Sequence, residues 1–266
     1  MSHLSLADLS IILVEPSDTQ RKIIIKKLAD KNVLNVEAYA SVTDAVGAIN
    51  STPPDLIVSS MYFKDGTALD ILRPVKNNPN LADIPFMLIS SENRTEKLEE
   101  FKQAGVAAIL PKPFSPDKLS FALNASLDLI NADELELNSF DIELLRVLLV
   151  DDSKMARNHI RRVLKSLGIQ NVMEAENGAD ALTYLKDHTF DLVFTDYNMP
   201  EMDGRELSEF IRFNPETAHL PIIMVTSEST SSLHMANIHQ TGINALCNKP
   251  FELKEVRKMI VTLLNN

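Results

Sequence analysis

The feature that most constrains the fold of this 266-residue chain is an internal repeat. Five positions of the first copy recur at one fixed shift of 136 residues, namely Val14 with Val150, Ser17 with Ser153, Asp55 with Asp191, Ser60 with Asp196, and Ser90 with Thr226. After a gap of one residue the match resumes, and it pairs Lys112-Pro-Phe with Lys249-Pro-Phe. A period of this length is that of a whole domain rather than of a solenoid repeat. The chain is therefore predicted to be a duplication of one domain.

Each copy alternates short apolar runs with helical patterns. The runs are 11–14, 55–58, 86–89 and 107–110 in the first copy, and 147–150, 192–194, 222–225 and 245–247 in the second. Short apolar strands separated by helices are typical of a parallel sheet that is covered by helices on both faces. We therefore expect an α/β protein with two doubly wound domains, over residues 9–130 and 144–266.

One helix of the second copy has clear boundaries, because Ser153 is suited to begin it and Gly168 to end it. Its apolar residues recur at helical spacing and are predicted to lie in the core: Met155, Ile160, Val163, Leu164 and Leu167. The same spacing places Lys154, Arg157, Arg161 and Lys165 on the solvated face.

Residues 131–143 are acidic and polar without a strong period, which predicts a linker between the two domains. Leu135 and Leu137 leave open the alternative that the preceding helix extends into this segment.

Charge and hydropathy argue against two kinds of partner. A formal net charge of −11 does not provide the basic face with which proteins displace counterions from a nucleic acid duplex. The longest apolar runs, such as 147–150, are too short to span a bilayer, and residues 1–10 lack the pattern of a signal peptide. We therefore expect a cytoplasmic protein that binds neither nucleic acid nor a membrane.

Polar residues of the second copy follow or end four predicted strands. Asp151 and Asp152 follow the first strand, Asp196 ends the third, Thr226 ends the fourth, and Lys249 follows the fifth. The carboxyl ends of strands in a doubly wound sheet meet at one crevice. Three carboxylates in one crevice repel one another, which favours a hard cation with oxygen ligands such as Mg²⁺.

The adjacent acids taken alone have a simpler interpretation. Asp151 and Asp152 could be a pair that caps the N-terminus of a helix, and for these two residues alone that interpretation is slightly favoured. The complete set of three carboxylates, a hydroxyl and an ammonium group reverses the preference, because it can hold both a metal ion and a phosphoryl group.

Four segments of the second copy carry a resemblance to a known family. They are LLVDDSK at 148–154, DYNMPEMDG at 196–204, MVTSE at 224–228 and NKPF at 248–251. Over residues 144–266 the chain resembles the receiver domain of response regulators, the family of the bacterial chemotaxis protein CheY. The resemblance implies a flavodoxin-like (βα)5 fold with a five-stranded parallel sheet in each copy.

The resemblance also implies a mechanism. Asp196 would accept a phosphoryl group from a phosphohistidine, and slow self-dephosphorylation would return the domain to rest. Mg²⁺ would be held by Asp152, Asp196 and the main-chain carbonyl of Asn198, with Asp151 acting through water. The phosphoryl oxygens would be bound by Thr226 and Lys249, and the lysine would precede a cis peptide bond to Pro250. Asn198 and Glu228 occupy the positions that tune the lifetime of the acyl phosphate.

One residue departs from the family pattern. An aromatic residue often stands three positions before the lysine and swings inward on activation, whereas here the position is Leu246. Phosphorylation is still expected to alter the face formed by the fourth helix, fifth strand and fifth helix of the second copy, because the new charge binds the two states differently.

The first copy is interpreted as a degenerate receiver. Three site positions differ, with Glu15 for Asp151, Pro16 for Asp152 and Ser60 for Asp196, while Ser90 and Lys112 stand in place of Thr226 and Lys249. A serine without an activating base or a metal is a poor nucleophile. Phosphorylation of Ser60 by a serine kinase is the functional alternative. We expect Lys112 to turn to Glu15 or to bond Ser60.

The loop after Ser60 also differs in its glycine spacing. Gly66 follows Ser60 by two residues fewer than Gly204 follows Asp196, which predicts a shortened loop in the first copy.

The sequence thus predicts a response regulator rather than an enzyme in the usual sense. Its expected partners are a sensor histidine kinase or histidine phosphotransfer protein and a downstream effector protein, and the degenerate copy could support a homodimer, dock a partner or restrain the second copy. One alternative is a magnesium-dependent phosphatase of the haloacid dehalogenase type, although that enzyme needs an acid where this chain has Asn198. Another is a fragment of a longer regulator with a separate output domain.

Overall fold

The computed structural model describes residues 4–92, 94–131, 141–226, 242–250 and 253–265. The chain divides into two compact units, Met1–Ala132 and Asp133–Asn266, which we call the N-terminal unit and the C-terminal unit. The expected linker over 131–143 and its alternative as a helical extension fall mostly on residues outside the described part of the chain. The predicted domain limits therefore stay predictions.

The N-terminal unit is a five-stranded parallel sheet with helices between its strands. The strands are β1 (Ser10–Val14), β2 (Asn35–Tyr39), β3 (Leu56–Ser60), β4 (Phe86–Ser90) and β5 (Ala108–Pro111). The helices are α1 (Asp18–Ala29), α2 (Val42–Ser51), α3 (Leu69–Asn77), α4 (Thr95–Gln103) and α5 (Pro116–Ile130). The strand order is β2-β1-β3-β4-β5.

The C-terminal unit repeats this arrangement. Its strands are β6 (Arg146–Val150), β7 (Asn171–Ala175), β8 (Leu192–Asp196), β9 (Ile222–Thr226) and β10 (Ala245–Asn248). Its described helices are α6 (Lys154–Ser166), α7 (Gly178–Asp187), α8 (Gly204–Phe213) and α9 (Leu253–Leu264), and a 3₁₀ turn spans Ile142–Leu144. The order β7-β6-β8-β9-β10 equals that of the N-terminal unit. The predicted fold class is confirmed.

The burial of the strands explains which of them the sequence pattern detects. β3 and β8 lie at the centre of their sheets and are buried along their whole length, so they read as continuous apolar runs. β2 and β7 lie at the edges and leave most of their residues at least partly exposed. The apolar runs therefore mark four strands in each copy, and the fifth follows only from the fold class.

Helix α6 shows how local sequence sets the boundaries. The Ser153 side chain accepts a hydrogen bond from the N–H of Ala156, which caps the helix at its start. Gly168 lies just past the end with φ of 94°, a left-handed conformation that glycine adopts without steric cost. The apolar face packs as predicted, except that Met155 is only half-buried.

No helix within the described residues is both long enough and apolar enough to cross a membrane.

The junction between β8 and α8 requires a glycine. A Cβ atom added to Gly204 would lie 2.1 Å from the main-chain oxygen of Asp196, far inside van der Waals contact. The backbone of α8 therefore packs directly against the end of β8. Gly47 in α2 is a contrast, because an added Cβ would meet nothing within 4 Å.

We expect the Gly204→Ala substitution to lower the free energy of unfolding by about 1–3 kcal/mol, because the new methyl group overpacks a close backbone contact. The Gly47→Ala substitution should raise it by roughly 0.5–1 kcal/mol, because alanine restricts the unfolded chain and favours the helix. Thermal unfolding of both variants measures the two effects. Equal melting temperatures for the two variants would contradict the close packing at Gly204.

Candidate functional site

The carboxyl ends of the parallel strands in the C-terminal unit bring the predicted site residues to one edge of the sheet. Asp151 follows β6, Asp196 ends β8, Thr226 ends β9 and Lys249 follows β10. All four residues are at most 3% exposed. The convergence that the strand ends predict is therefore present for these residues.

Lys249 joins two of the acids directly. Its Nζ atom lies 2.8 Å from Oδ2 of Asp151 and 3.0 Å from Oδ1 of Asp196. The other oxygen of Asp151 accepts a hydrogen bond of 2.9 Å from the N–H of Ser153. Both oxygens of the Asp151 carboxylate are thus engaged by the protein. The peptide bond from Lys249 to Pro250 is cis, as the resemblance implies.

The site holds more negative charge than its lysine balances. Asp151, Asp152 and Asp196 form a cluster whose ligand oxygens lie within 4.8 Å of one another. Burial raises the pKa of Asp196 to about 7, an effect that Lys249 opposes and the neighbouring Asp151 and Asp152 reinforce. Burial likewise raises the pKa of Asp151, against the influence of Lys249. Ionised carboxylates in this setting need a further positive charge.

The oxygen atoms that are available fit a hard divalent cation. Oδ2 of Asp196 is buried and accepts no hydrogen bond from the residues that the structure describes. Asp152 is exposed, so its carboxylate can turn toward a cation at the mouth of the site. Mg²⁺ prefers one or two carboxylates and keeps several waters. Asp152 and Asp196 can therefore bind the ion directly, while Asp151 is occupied by Lys249 and Ser153.

The remaining predicted residues lie around this cluster. Thr226 pairs with Asn248 in the β9–β10 ladder at the same sheet edge. Asn198 is exposed two residues after Asp196. Leu246 is half-buried in β10 and packs with Met224, away from the strand end. Glu228 lies outside the described residues.

The N-terminal unit has a different set at the corresponding edge. Glu15 accepts hydrogen bonds at Oε1 from the N–H of Ser17 at 2.9 Å and at Oε2 from Nζ of Lys112 at 2.8 Å. This repeats the pattern of Asp151 with Ser153 and Lys249. The hydroxyl of Ser60 donates to the same Oε2 atom, and Lys112 lies 3.3 Å from the hydroxyl oxygen. The predicted contacts of Lys112 are confirmed.

The other two residues of the degenerate set contribute no acid. Pro16, in the position of Asp152, has no side-chain ligand, and it is exposed. The hydroxyl of Ser90 lies 3.3 Å from the sulfur of Met61 and accepts a hydrogen bond of 3.0 Å from the N–H of Glu92. At this edge the negative charge of Glu15 is thus balanced by the positive charge of Lys112.

The prediction of a shortened loop in the first copy is wrong. The N–H of Ala68 donates to the carbonyl of Met61 at 2.9 Å, and the N–H of Gly204 donates to the carbonyl of Tyr197 at 3.0 Å. These pairs keep the shift of 136 residues, so the two loops have equal length. The structural counterpart of Gly204 is Ala68 rather than Gly66, because each donates its N–H to the carbonyl of the residue that follows the strand.

The helical periodicity misplaced Arg157. The residue is buried, and its guanidinium reaches the main chain of Asp151 and Asp152 instead of solvent. A sequence signal was present, because Arg21 stands in the same position of the first copy at the shift of 136 residues. An arginine kept in both copies beside the acid-bearing strand end indicates a local contact.

Comparisons with known proteins agree with this geometry. The model of the family described as "response regulator receiver domain" matches the chain twice, at residues 11–124 and 147–261. The chain is similar to chemotaxis protein CheY-3 of Vibrio cholerae, with 36% identity over 116 residues, which are 44% of this chain and 88% of that protein. It is also similar to chemotaxis protein CheY of Pseudomonas aeruginosa, with 35% identity over 116 residues, which are 44% of this chain and 93% of that protein.

A solved structure described as a two-component system response regulator/GGDEF domain protein is 25% identical, and the match covers 96% of this chain and 98% of that chain with a TM-score of 0.42. The two matches to the family description include most of the residues of the chain. The chain therefore belongs to the response regulator receiver domain family, as two receiver domains in tandem, and it functions as a response regulator in two-component signal transduction.

Proposed function

We propose that Asp196 is the phosphoacceptor of this response regulator and that the N-terminal unit accepts no phosphoryl group. The observation that carries the proposal is the difference between the two sheet edges. The C-terminal unit gathers three carboxylates and leaves Oδ2 of Asp196 without a hydrogen bond among the described residues. In the N-terminal unit the hydroxyl of Ser60 donates a hydrogen bond to Glu15, and Lys112 balances the negative charge of that carboxylate.

The chemistry at Asp196 is a transfer between an imidazole and a carboxylate. Oδ2 forms a bond to phosphorus while the bond from phosphorus to the nitrogen of the donor histidine breaks, and the histidine keeps the electron pair and takes up a proton. The donor is a sensor histidine kinase or a histidine phosphotransfer protein. The product is an acyl phosphate on Asp196, and its slow hydrolysis restores the carboxylate.

The residues around Asp196 prepare the site for the phosphoryl group. Lys249 is held against Asp196 and Asp151, where its ammonium group can turn to a phosphoryl oxygen. The hydroxyl group of Thr226 is at the end of the neighbouring strand. Bound Mg²⁺ would supply positive charge that offsets the phosphoryl oxygens. Asp152, Asp196 and the carbonyl of Asn198 would hold that ion, and Asp151 would act through water.

The readout of phosphorylation is a change in protein contacts. When Lys249 and Thr226 turn to the phosphoryl group, the packing at β9 and β10 must adjust, and Leu246 lies in that layer against Met224. Leucine can change rotamer without the swing of an aromatic ring. The affected surface includes β10 and α9, and an effector protein in the cytoplasm would bind it in one state only.

The N-terminal unit has a structural role in this proposal. Ser60 is 7% exposed, and its hydroxyl donates to Glu15, so a serine kinase has poor access to it. Burial alone would raise the pKa of Glu15, but hydrogen bonds from Lys112, Ser60 and the N–H of Ser17 outweigh that effect and lower it. A carboxylate with a lowered pKa is a weak base for activating serine. The unit would pair with another subunit, dock a partner or restrain the active receiver.

Incubation of the full chain with acetyl phosphate and Mg²⁺ should add one phosphoryl group per chain, detected by intact mass. The Asp196→Asn variant should show no adduct because the nucleophile is gone, and EDTA should suppress the reaction. The Ser60→Ala variant is the matched control at the corresponding position of the first copy, and it should be phosphorylated like the wild type.

Two outcomes would contradict the proposal. An adduct that persists in the Asp196→Asn variant would move the acceptor elsewhere. Repeated turnover of simple phosphomonoesters without a stoichiometric adduct on Asp196 would instead support the haloacid dehalogenase type of phosphatase.

The contact between Glu15 and Lys112 predicts a pH-dependent contribution to stability. We expect the Glu15→Gln substitution to lower the free energy of unfolding by about 1–3 kcal/mol at pH 7, because Lys112 and Ser60 lose a charged partner. The native pKa of Glu15 is lowered, so its stabilisation is complete above the ordinary carboxyl pKa of about 4.3 and disappears as the pH falls through the native value.

Urea unfolding of the wild type and of the Glu15→Gln variant at a series of pH values measures this contribution. The difference should be constant above about pH 5 and should narrow at lower pH. Glu37→Gln is a control in the same unit, because that carboxylate is exposed. A difference for Glu15→Gln that stays the same at every pH would contradict the stabilising ion pair.

A further inference from the structure

A buried arginine lies directly behind the acid-bearing strand end of the C-terminal unit. The side chain of Arg157 in α6 is 7% exposed, although arginine is seldom buried without partners. It lies in the first turn of the helix that follows Asp152, three residues after Lys154. The mechanism proposed for Asp196 does not use this residue, so its burial needs a separate explanation.

The guanidinium group of Arg157 holds the backbone of the acidic turn. Its Nη1 atom donates to the main-chain oxygen of Asp151 at 2.7 Å and to that of Asp152 at 3.3 Å. Both acceptors are carbonyl oxygens and not carboxylate oxygens. The arginine therefore fixes the direction of the turn by bonds to the main chain, and these bonds do not occupy the carboxylates that can hold a cation.

Two glutamates hold the other side of the guanidinium. Nη2 of Arg157 donates to Glu176 at 2.8 Å, and Nε donates to Glu174 at 3.2 Å. Glu174 also forms an ion pair of 3.0 Å with Arg161. The positive charge of Arg157 is thus balanced by acids outside the site. An arginine balanced in this way competes little with a cation for the carboxylates of Asp151 and Asp152.

In the first copy the corresponding arginine keeps its contact with the main chain, but the two glutamates are replaced. Arg21, the counterpart of Arg157, donates to the main-chain oxygen of Glu15 at 2.7 Å and pairs with the exposed carboxylate of Asp18 in its own helix. Ala38 and Ala40 stand where the second copy has Glu174 and Glu176. An arginine that contacts both the main chain of the turn and two glutamates is therefore found in the copy that keeps the acidic cluster.

We propose that Arg157 is a positioning residue for the cation site: it fixes the main chain of Asp151 and Asp152, and Glu174 and Glu176 fix its guanidinium. The inference rests on the proposed function, in which Asp152 and Asp196 hold a divalent cation. Arginine suits the role because its planar fork bonds carbonyls and carboxylates at once, whereas lysine is a point charge with one nitrogen. Residues that orient metal ligands from behind change metal affinity by about 10–100-fold when they are replaced.

The test is the dissociation constant of Mg²⁺, measured by calorimetric titration of the full chain without a phosphodonor. The Arg157→Lys variant keeps the charge but loses the fork, and its dissociation constant should rise about tenfold or more. The Glu176→Gln variant weakens one contact of the guanidinium by removing its negative charge, and it should raise the dissociation constant by a smaller factor in the same direction.

The Arg21→Lys variant is the matched control. It loses the corresponding bond to the carbonyl of Glu15, so its effect on the unfolding of the chain should resemble that of Arg157→Lys. Its Mg²⁺ dissociation constant should equal that of the wild type. A general structural role of the two arginines would change stability in both variants and would not separate them by Mg²⁺ affinity.

The outcomes distinguish this inference from the function on which it rests. If the wild type binds Mg²⁺ and both Arg157→Lys and Glu176→Gln bind it equally well, the positioning role is overturned while the proposed function stands. If the wild type binds no Mg²⁺, both are overturned. Should Arg157→Lys fail to fold, Glu176→Gln decides, because the side chain of Glu176 is 71% exposed and the substitution removes only the charge of its contact with the arginine.

Discussion

The site depends on the ionic contact of Lys249 with Asp151 and Asp196, which are buried at the edge of a parallel sheet. Burial raises the pKa of both aspartates, and one lysine does not balance them together with Asp152. The excess negative charge favours a divalent cation. The same lysine can exchange its contact with Asp196 for a phosphoryl oxygen. In the proposed function, one set of charges would account for both metal binding and phosphoryl binding.

The duplication provides an internal comparison for this interpretation. Strand order, loop length and the backbone contact of the arginine in the first helix are shared by the two units. What differs is the charge at the strand ends, where Glu15 and Lys112 balance each other around Ser60. The first unit therefore retains the architecture of a receiver, and in the proposed function its site would stabilise the fold in place of binding a cation. The exchange of Asp196 for Ser60 is one part of this change.

The sequence predicted the fold and the meeting of most candidate site residues at one sheet edge, because buried central strands read as apolar runs and parallel strands end at one edge. It could not identify the edge strands β2 and β7, because most of their residues are at least partly exposed and form no continuous apolar run. Glycine spacing misled the loop comparison, since Ala68 occupies the position of Gly204. Helical periodicity also misplaced Arg157. A helical-wheel pattern assigns arginine to the solvated face, and it does not show the main-chain oxygen atoms that the side chain contacts here.

The most direct test of the difference between the two units is a crystal structure of the full chain with Mn²⁺ and beryllofluoride, using anomalous scattering to locate the metal. We predict one Mn²⁺ site per chain, bound by Asp152 and Asp196, with beryllofluoride on Asp196. No metal should lie beside Glu15 and Ser60. An anomalous peak in the N-terminal unit, or a C-terminal unit that binds beryllofluoride away from Asp196, would contradict this account.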